Sequence, residues 1–156
     1  MASRRDFIKG MGMAAAGLAF GSQNNMFAQP LTSKEWASAK SDKVKIAYIG
    51  IGNRGEQNID EFEKTGMVEV TALCDVDLDG KQCQKVLAKY PKARRVRDFR
   101  ELFEKYGNTF DAVCASVPDH IHFPIAMMAL KHGKHIYVEK PITRTFQEAE
   151  LLMEAA

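Results

Sequence analysis

Three glycines spaced as Gly50-x-Gly52-x-x-Gly55 follow an apolar run and open an amphipathic one. In a turn between a strand and a helix, the first glycine permits the tight turn, the second lets the backbone approach a pyrophosphate, and the third lets the helix pack closely on the strand. The helix N-terminus adds N–H donors and the positive end of the helix dipole. The spacing therefore predicts a phosphate-binding turn made by Gly50, Ile51, Gly52, Asn53, Arg54 and Gly55.

An acidic residue stands where a dinucleotide-binding turn needs one. Asp75 lies twenty positions after Gly55, at the end of the second apolar run. Its carboxylate can accept hydrogen bonds from the adenosine ribose hydroxyls and repels a 2′-phosphate, and no arginine follows it directly, since Val76 and Asp77 come next. We therefore predict NAD binding, with NADP the less favoured cofactor. The alternative is that the glycines are structural and Asp75 caps a helix, a role that we expect for Asp77.

A second group of polar residues follows the fourth and fifth apolar runs. One part is the stretch from Ser116 to His122, and the other is Glu139-Lys140-Pro141. Parallel strands present their carboxyl ends at one edge of a sheet, which is where ligands bind in open α/β folds. We therefore expect these residues to share one cleft with Gly50 and Asp75.

Positioning these groups requires a parallel sheet, and the chain alternates accordingly. Short β-branched apolar runs predict strands, and the amphipathic runs between them predict helices. The order βαβαβαβαβα predicts a Rossmann-type, doubly wound α/β fold with right-handed crossovers and helices on both faces. We predict strands at 44–49, 68–74, 95–97, 111–115 and 135–138, and helices at 54–64, 80–90, 99–106, 122–132 and from a capping box at Thr145 onward.

The segment VPDHIHFPIAMMALKHGKHIYVEKP, which ends at Pro141, resembles the hallmark of the Gfo/Idh/MocA oxidoreductases, a family named for glucose-fructose oxidoreductase and inositol dehydrogenase. The resemblance covers residues 44–156. It implies that Lys140 lies beside the nicotinamide and the substrate hydroxyl and contributes to catalysis, and that Glu139 and Pro141 hold it. It also implies cofactor contacts from Val117, Pro118, Asp119 and His122, with valine at position 117 where the family usually has threonine.

The same resemblance implies hydride transfer between NAD and a hydroxyl of a sugar or cyclitol. Because the N-terminal residues predict export to a compartment without a soluble NAD pool, we expect the NAD to be tightly bound. The implied enzyme is a homo-oligomer with a second α/β domain that these 156 residues do not contain, so we expect this fragment alone to be inactive. An NAD-dependent glycosidase of the same family and a non-catalytic NAD-binding fragment are the alternatives. Asp119 as a helix cap and Lys140 as a surface lysine also stay open. His120 and His122 have no carboxylate or cysteine at ligand spacing, so we expect no metal site.

Residues 1–28 resemble a twin-arginine signal peptide, which implies export to the periplasm. Arg4 and Arg5 precede a Gly/Ala-rich apolar stretch of about ten residues. That stretch is too short to cross a hydrocarbon core about 30 Å thick, so no stable membrane span is expected. Residues 29–43 are predicted to form a polar linker, and residues 44–156 to form the NAD-binding domain.

Composition and charge exclude other function classes. The sequence has three cysteines, and their spacing is not that of metal ligands. Cys74 and Cys114 lie in the apolar runs that predict strands, so we expect them to be buried thiols. The formal net charge of +2 is matched by four leader residues, so the rest of the chain is neutral and offers no basic surface for nucleic acid. Those four residues are Arg4, Arg5, Asp6 and Lys9.

Overall fold

The computed structural model describes residues 43–156. The predicted signal peptide (1–28) and the predicted linker up to residue 42 lie outside the described residues. The strands are β1 (Val44–Ile49), β2 (Val68–Cys74), β3 (Arg94–Val96), β4 (Ala112–Ala115) and β5 (His135–Val138). The helices are α1 (Arg54–Lys64), α2 (Lys81–Lys89), α3 (Phe99–Tyr106), α4 (Asp119–Lys131) and α5 (Phe146–Ala155), with a 3₁₀ turn at Gly107–Thr109.

The strands form one parallel sheet in the order β3-β2-β1-β4-β5. The chain moves outward from β1 through β2 to β3, and then crosses back to place β4 on the other side of β1. The point where the direction reverses lies between β1 and β4, and open α/β sheets bind their ligands at the carboxyl ends of such strands. The predicted doubly wound parallel sheet is confirmed.

Apolar side chains cover both faces of the sheet. Along β1, Ile46 and Tyr48 pack into the layer that contains α1 and α2, whereas Ala47 and Ile49 pack into the layer that contains α3 and α4. Burial on both faces explains why the strands form nearly continuous apolar runs in the sequence. Within residues 43–156, no helix combines the length and the apolar character needed to cross a membrane.

The three cysteines are free and buried, as predicted for the strand positions. Burial disfavours the charged thiolate and raises the pKa of Cys74 and of Cys114 to about 12. Burial likewise raises the pKa of the Cys83 thiol to about 11. At neutral pH all three side chains are therefore protonated and behave as small apolar groups.

One predicted helix start and one predicted N-cap were wrong. Helix α4 begins at Asp119 instead of residue 122, and its N-cap is Pro118. The side chains of Asp119 and His120 are exposed, so the first turn has no apolar periodicity to reveal it. The N-cap of α2 is Gly80, not Asp77, whose carboxylate accepts a hydrogen bond from Gln82 Nε2 at 3.0 Å.

The helix predicted from a capping box begins where expected. Thr145 is its N-cap, and the hydroxyl accepts a hydrogen bond from the backbone N–H of Glu148 at 3.2 Å. The Glu148 carboxylate in turn accepts from the backbone N–H of Arg144 at 2.8 Å. The pair satisfies backbone donors that the first turn of a helix leaves unpaired.

The turn after β1 is packed too closely for side chains. A Cβ atom on Gly55 would lie 2.0 Å from the carbonyl oxygen of Gly50. Gly50 has φ of +78°, and a Cβ atom there would lie 2.2 Å from the carbonyl oxygen of Ser116. The backbone of the turn thus contacts both the first turn of α1 and the end of β4.

We predict that Gly55→Ala lowers the free energy of unfolding by roughly 1 to 3 kcal/mol, because the added methyl group must displace backbone. Gly107→Ala is the matched control, since a Cβ atom there would have no neighbour within 4 Å and φ is –52°. Urea unfolding followed by circular dichroism measures both. Equal stability of the two variants would contradict the packing role of Gly55.

Candidate functional site

The glycine turn leads directly into α1. Gly50 N–H donates to the Cys74 carbonyl at 2.8 Å, and Gly55 N–H donates to the Gly52 carbonyl at 2.8 Å. Asn53, the N-cap, has φ of 45° and ψ of –101°, a positive-φ conformation that favours glycine over residues with a Cβ atom. The backbone N–H groups of this first turn lie at the carboxyl edge of the sheet, where an anion can bind.

Asp75 joins the ends of β1 and β2. Its Oδ2 accepts a hydrogen bond from Ile51 N–H at 2.9 Å, and its Oδ1 accepts from Asp77 N–H at 3.0 Å. Each carboxylate oxygen can accept more than one hydrogen bond, so Asp75 keeps acceptor capacity for a ligand. The carboxylate is therefore fixed in place beside the glycine turn while still available to hydroxyl groups.

Glu139, at the end of β5, is held by two residues of α1. Its Oε1 accepts hydrogen bonds from Asn58 Nδ2 at 2.8 Å and from Arg54 Nε at 2.8 Å. Asn58 Nδ2 also donates to the Ser116 hydroxyl at 2.9 Å, after β4. The Asn58 amide and then the Arg54 guanidinium hold the pKa of Glu139 below its usual range, so this carboxyl group is ionised at neutral pH.

His122 supports the turn that follows Glu139. Its Nδ1 lies 2.6 Å from the carbonyl oxygen of Pro141, and because a carbonyl only accepts, Nδ1 carries the proton. The ring is 1% exposed, and its Nε2 has no hydrogen-bond partner among the described residues. A buried polar atom without a partner is costly, which marks this nitrogen as a candidate ligand contact.

A cavity of about 380 Å³ lies where the polar residues that follow β4 and β5 come together. It is lined by Arg54, Ser116, Val117, His122, Glu139 and Lys140. Lys140 is exposed at its rim, and within residues 43–156 its ammonium group forms no ion pair. Gly50 and Asp75 lie at the same edge of the sheet but do not line this cavity, so the structure does not show the predicted single cleft.

Some predicted site residues lie outside this cavity. Pro118 is the N-cap of α4 and Asp119 is its first residue; both are exposed, and neither lines the cavity wall. A Cβ atom on Gly52 would lie 2.6 Å from Cγ of Gln82 in α2, so a larger residue at position 52 would have to displace that side chain. No group of three or more His, Cys, Asp or Glu residues that could hold a metal ion is found in the described part of the chain.

Sequence reasoning missed Asn58 as a site residue. It lies one helical turn after Arg54 on α1, is 5% exposed, and donates to residues that are distant in the sequence. The sequence could have indicated Asn58 only as a polar residue next to Ile59, on the face of the helix that packs against the sheet. Position along the helix alone does not distinguish such a residue from a solvated one.

Comparisons with known proteins agree with this geometry. Residues 44–156 match the Gfo/Idh/MocA family model, described as an oxidoreductase family with an NAD-binding Rossmann fold. A glycosyl hydrolase family 109 protein of Shewanella baltica is 30% identical over 98% of this chain, and an alpha-N-acetylgalactosaminidase of Shewanella oneidensis is 28% identical over 98%. The chain spans 36% of the length of each of these relatives. An NAD binding oxidoreductase from Klebsiella pneumoniae superposes with a TM-score of 0.62 at 29% identity, over 73% of this chain and 31% of that one.

We predict that Asn58→Asp destabilises the fold at pH 7, because a second carboxylate would face Glu139 in place of an amide donor. The loss relative to the unaltered chain should shrink as the pH falls toward 4 and the carboxyl groups become protonated. In the unaltered chain, the pKa of Glu139 is lower in the folded state than in the unfolded state. The network therefore stabilises the fold at pH values above the unfolded-state pKa, and this contribution is lost as the pH falls through the folded-state pKa.

Thermal unfolding between pH 4 and pH 8 measures this difference. Asn108→Asp is the control, because it makes the same substitution at an exposed position of the 3₁₀ turn, away from the Glu139 network. If Asn58→Asp and Asn108→Asp change stability equally at every pH, the network does not depend on the Asn58 amide.

Proposed function

The chain belongs to the Gfo/Idh/MocA oxidoreductase family, and from that premise we propose that residues 44–156 are the nucleotide half of an enzyme that moves hydride between tightly bound NAD and a hydroxyl-bearing carbon of a sugar or cyclitol. The observation that carries the proposal is the shared edge: the glycine turn, Asp75 and the Lys140 cavity all lie at the carboxyl ends of the strands. This is where open α/β sheets bind dinucleotides.

The residues present suit such a cofactor. Gly50 and Gly55 leave no room for side chains, so phosphate oxygens can approach the backbone at the N-terminus of α1. Asp75 retains acceptor capacity for ribose hydroxyls. The unpartnered Nε2 of His122 offers an acceptor to an amide N–H at the other end. We assign the cofactor contacts to these residues, to Ile51, Gly52, Asn53 and Arg54, and to Val117, Pro118, Asp119, Glu139 and Lys140 at the ends of β4 and β5.

Bound NAD supplies a hydride acceptor at C4 of its nicotinamide. When a hydroxyl-bearing carbon is oxidised, the hydroxyl proton must leave, and Lys140 is the residue that we assign to this step. Its ammonium lowers the pKa of a neighbouring hydroxyl electrostatically, and its amine can accept the proton. Since Glu139 is already engaged by Asn58 and Arg54, it fixes the turn without neutralising Lys140 through a paired contact.

The curated relatives favour a second candidate, a glycosidase that uses bound NAD without net oxidation. The Shewanella proteins named above are a glycosyl hydrolase family 109 protein and an alpha-N-acetylgalactosaminidase. The two candidates differ in products: an oxidoreductase leaves an oxidised sugar, whereas the glycosidase releases an aglycone and returns the cofactor to its starting state. Within the present sequence, the retained Glu139-Lys140-Pro141 favours the oxidoreductase.

We further propose that the complete enzyme is a homo-oligomer and that a second α/β domain supplies the remaining catalytic and substrate-sorting residues. The 156-residue chain alone is then an NAD-binding fragment without turnover. A non-catalytic NAD-binding module would behave in the same way at this length, so substrate turnover by the longer protein distinguishes the two.

We predict that the 156-residue chain binds NADH and that Asp75→Ala weakens this binding roughly 10- to 100-fold, because a hydrogen-bonding charged acceptor is lost. Fluorescence titration with NADH, at equal protein folding checked by circular dichroism, gives both dissociation constants. Glu104→Gln, which removes an exposed carboxylate from α3, is the control and should leave the affinity unchanged. If the unaltered chain does not bind NADH, the proposed function fails.

We also propose export by the twin-arginine pathway, supported by Arg4, Arg5 and the apolar Gly/Ala-rich stretch after them. Because that pathway exports folded proteins with their cofactors, NAD would be bound before export and retained, since the periplasm offers no soluble NAD pool for exchange. The same reaction must then return the cofactor to its starting oxidation state.

The chain should therefore reach the periplasm of a bacterium that has this pathway, and Arg4→Lys combined with Arg5→Lys should keep it in the cytoplasm although the charge is unchanged. Cell fractionation and immunoblotting measure the distribution, with Lys9→Arg as the charge-matched control. Periplasmic protein should release dinucleotide on denaturation. Export of the double variant would contradict the assigned pathway, and release of no nucleotide would contradict retention of the cofactor.

A further inference from the structure

Arg97 lies at the carboxyl end of β3, beside the residue assigned to the ribose. The backbone N–H of Asp75 donates to the Val96 carbonyl at 3.1 Å, which places the two strand ends side by side. The Arg97 guanidinium binds the loop that follows β2: Nη1 donates to the Val76 carbonyl at 3.0 Å, and Nη2 donates to Asp79 Oδ2 at 2.6 Å. The sequence places no arginine directly after Asp75, but the topology brings one to it from the neighbouring strand.

The carboxylates of the β2–α2 loop have different partners. Asp75 binds the backbone N–H groups of Ile51 and Asp77, and Asp77 binds Gln82. Asp79 pairs with Arg97, and their side chains are 88% and 52% exposed. Of the three carboxylates, Asp79 is therefore the one that compensates the charge of Arg97.

An arginine at this corner bears directly on the choice of dinucleotide. NADP differs from NAD by a phosphate on the 2′-oxygen of the adenosine ribose, and a nearby arginine accommodates that phosphate in Rossmann folds. A guanidinium binds phosphate through two parallel N–H bonds. While Nη1 and Nη2 of Arg97 donate to the Val76 carbonyl and the Asp79 carboxylate, they are not free to bind a phosphate through two parallel hydrogen bonds.

We propose that Asp79 is a specificity-determining residue: by pairing with Arg97 on the carbonyl of Val76, it withholds that guanidinium from a 2′-phosphate and keeps the site selective for NAD. The proposal rests on the proposed NAD binding at this edge and adds a second element to the repulsion by Asp75. Exposed ion pairs are individually weak, so removing the charge of Asp79 should change the NADPH affinity only several-fold.

The test measures dissociation constants of NADPH and NADH for the 156-residue chain by fluorescence titration. Asp79→Asn should bind NADPH at least fivefold more tightly than the unaltered chain, with the NADH constant changed by less than twofold. Asp77→Asn removes the same charge from the same loop without freeing Arg97, so its NADPH constant should change by less than twofold. Adding Arg97→Gln to Asp79→Asn should abolish the gain. Thermal unfolding checks that these surface variants remain folded.

Three results would overturn the proposal: an unchanged NADPH constant in Asp79→Asn, an equal gain in Asp77→Asn, or a gain that persists in the double variant. The second of these would mean that general charge in the loop, and not release of Arg97, controls the preference. If the unaltered chain bound neither dinucleotide, the proposed function would fall and this proposal with it. Normal NADH binding with unchanged preference would overturn the Asp79 assignment alone.

Discussion

The close backbone contact around Gly50 determines where every other part of the site can lie. The Cα atoms of Gly55 and Gly50 approach carbonyl oxygens so closely that a Cβ atom would lie 2.0 or 2.2 Å from them. This contact seats the N-terminus of α1 on the ends of β1 and β4. With the helix seated there, Asn58, one turn further along, reaches the Ser116 hydroxyl and the Glu139 carboxylate. A looser turn would move α1 outward and separate these partners.

From this contact the structure extends in two directions along the sheet edge. Toward β2, the Asp75 carboxylate accepts from the N–H of Ile51 and so ties the glycine turn to the next strand. Toward β5, Asn58 and Arg54 tie Glu139 to α1, and His122 ties the following turn to α4 through the carbonyl of Pro141. The groups on both sides of β1 are thereby fixed relative to the N-terminus of α1.

Periodicity and spacing predicted the parts of this arrangement that depend on nearby residues. The strands, the glycine turn, Asp75 and the Thr145 cap all depend on patterns within a few residues or on a fixed distance along one βαβ unit. The start of α4 and the N-cap of α2 were wrong because exposed polar residues fit a cap and a first helical turn equally well. Asn58 escaped prediction because its partners lie 58 and 81 residues away, and only the strand order brings them together.

Strand order also explains why charge along the sequence is a poor guide to charge in the site. Asp75 and Glu139 lie on opposite sides of β1, yet each is held by N–H donors from the β1–α1 unit. Donors fixed in this way orient a carboxylate before any ligand arrives, so a ligand does not bear the entropic cost of ordering it. Since Glu139 is satisfied by Asn58 and Arg54, the neighbouring Lys140 is left without an ion pair in the described part of the chain. The positive charge at the rim of the cavity is therefore available to a ligand, because the adjacent negative charge is already paired within the protein.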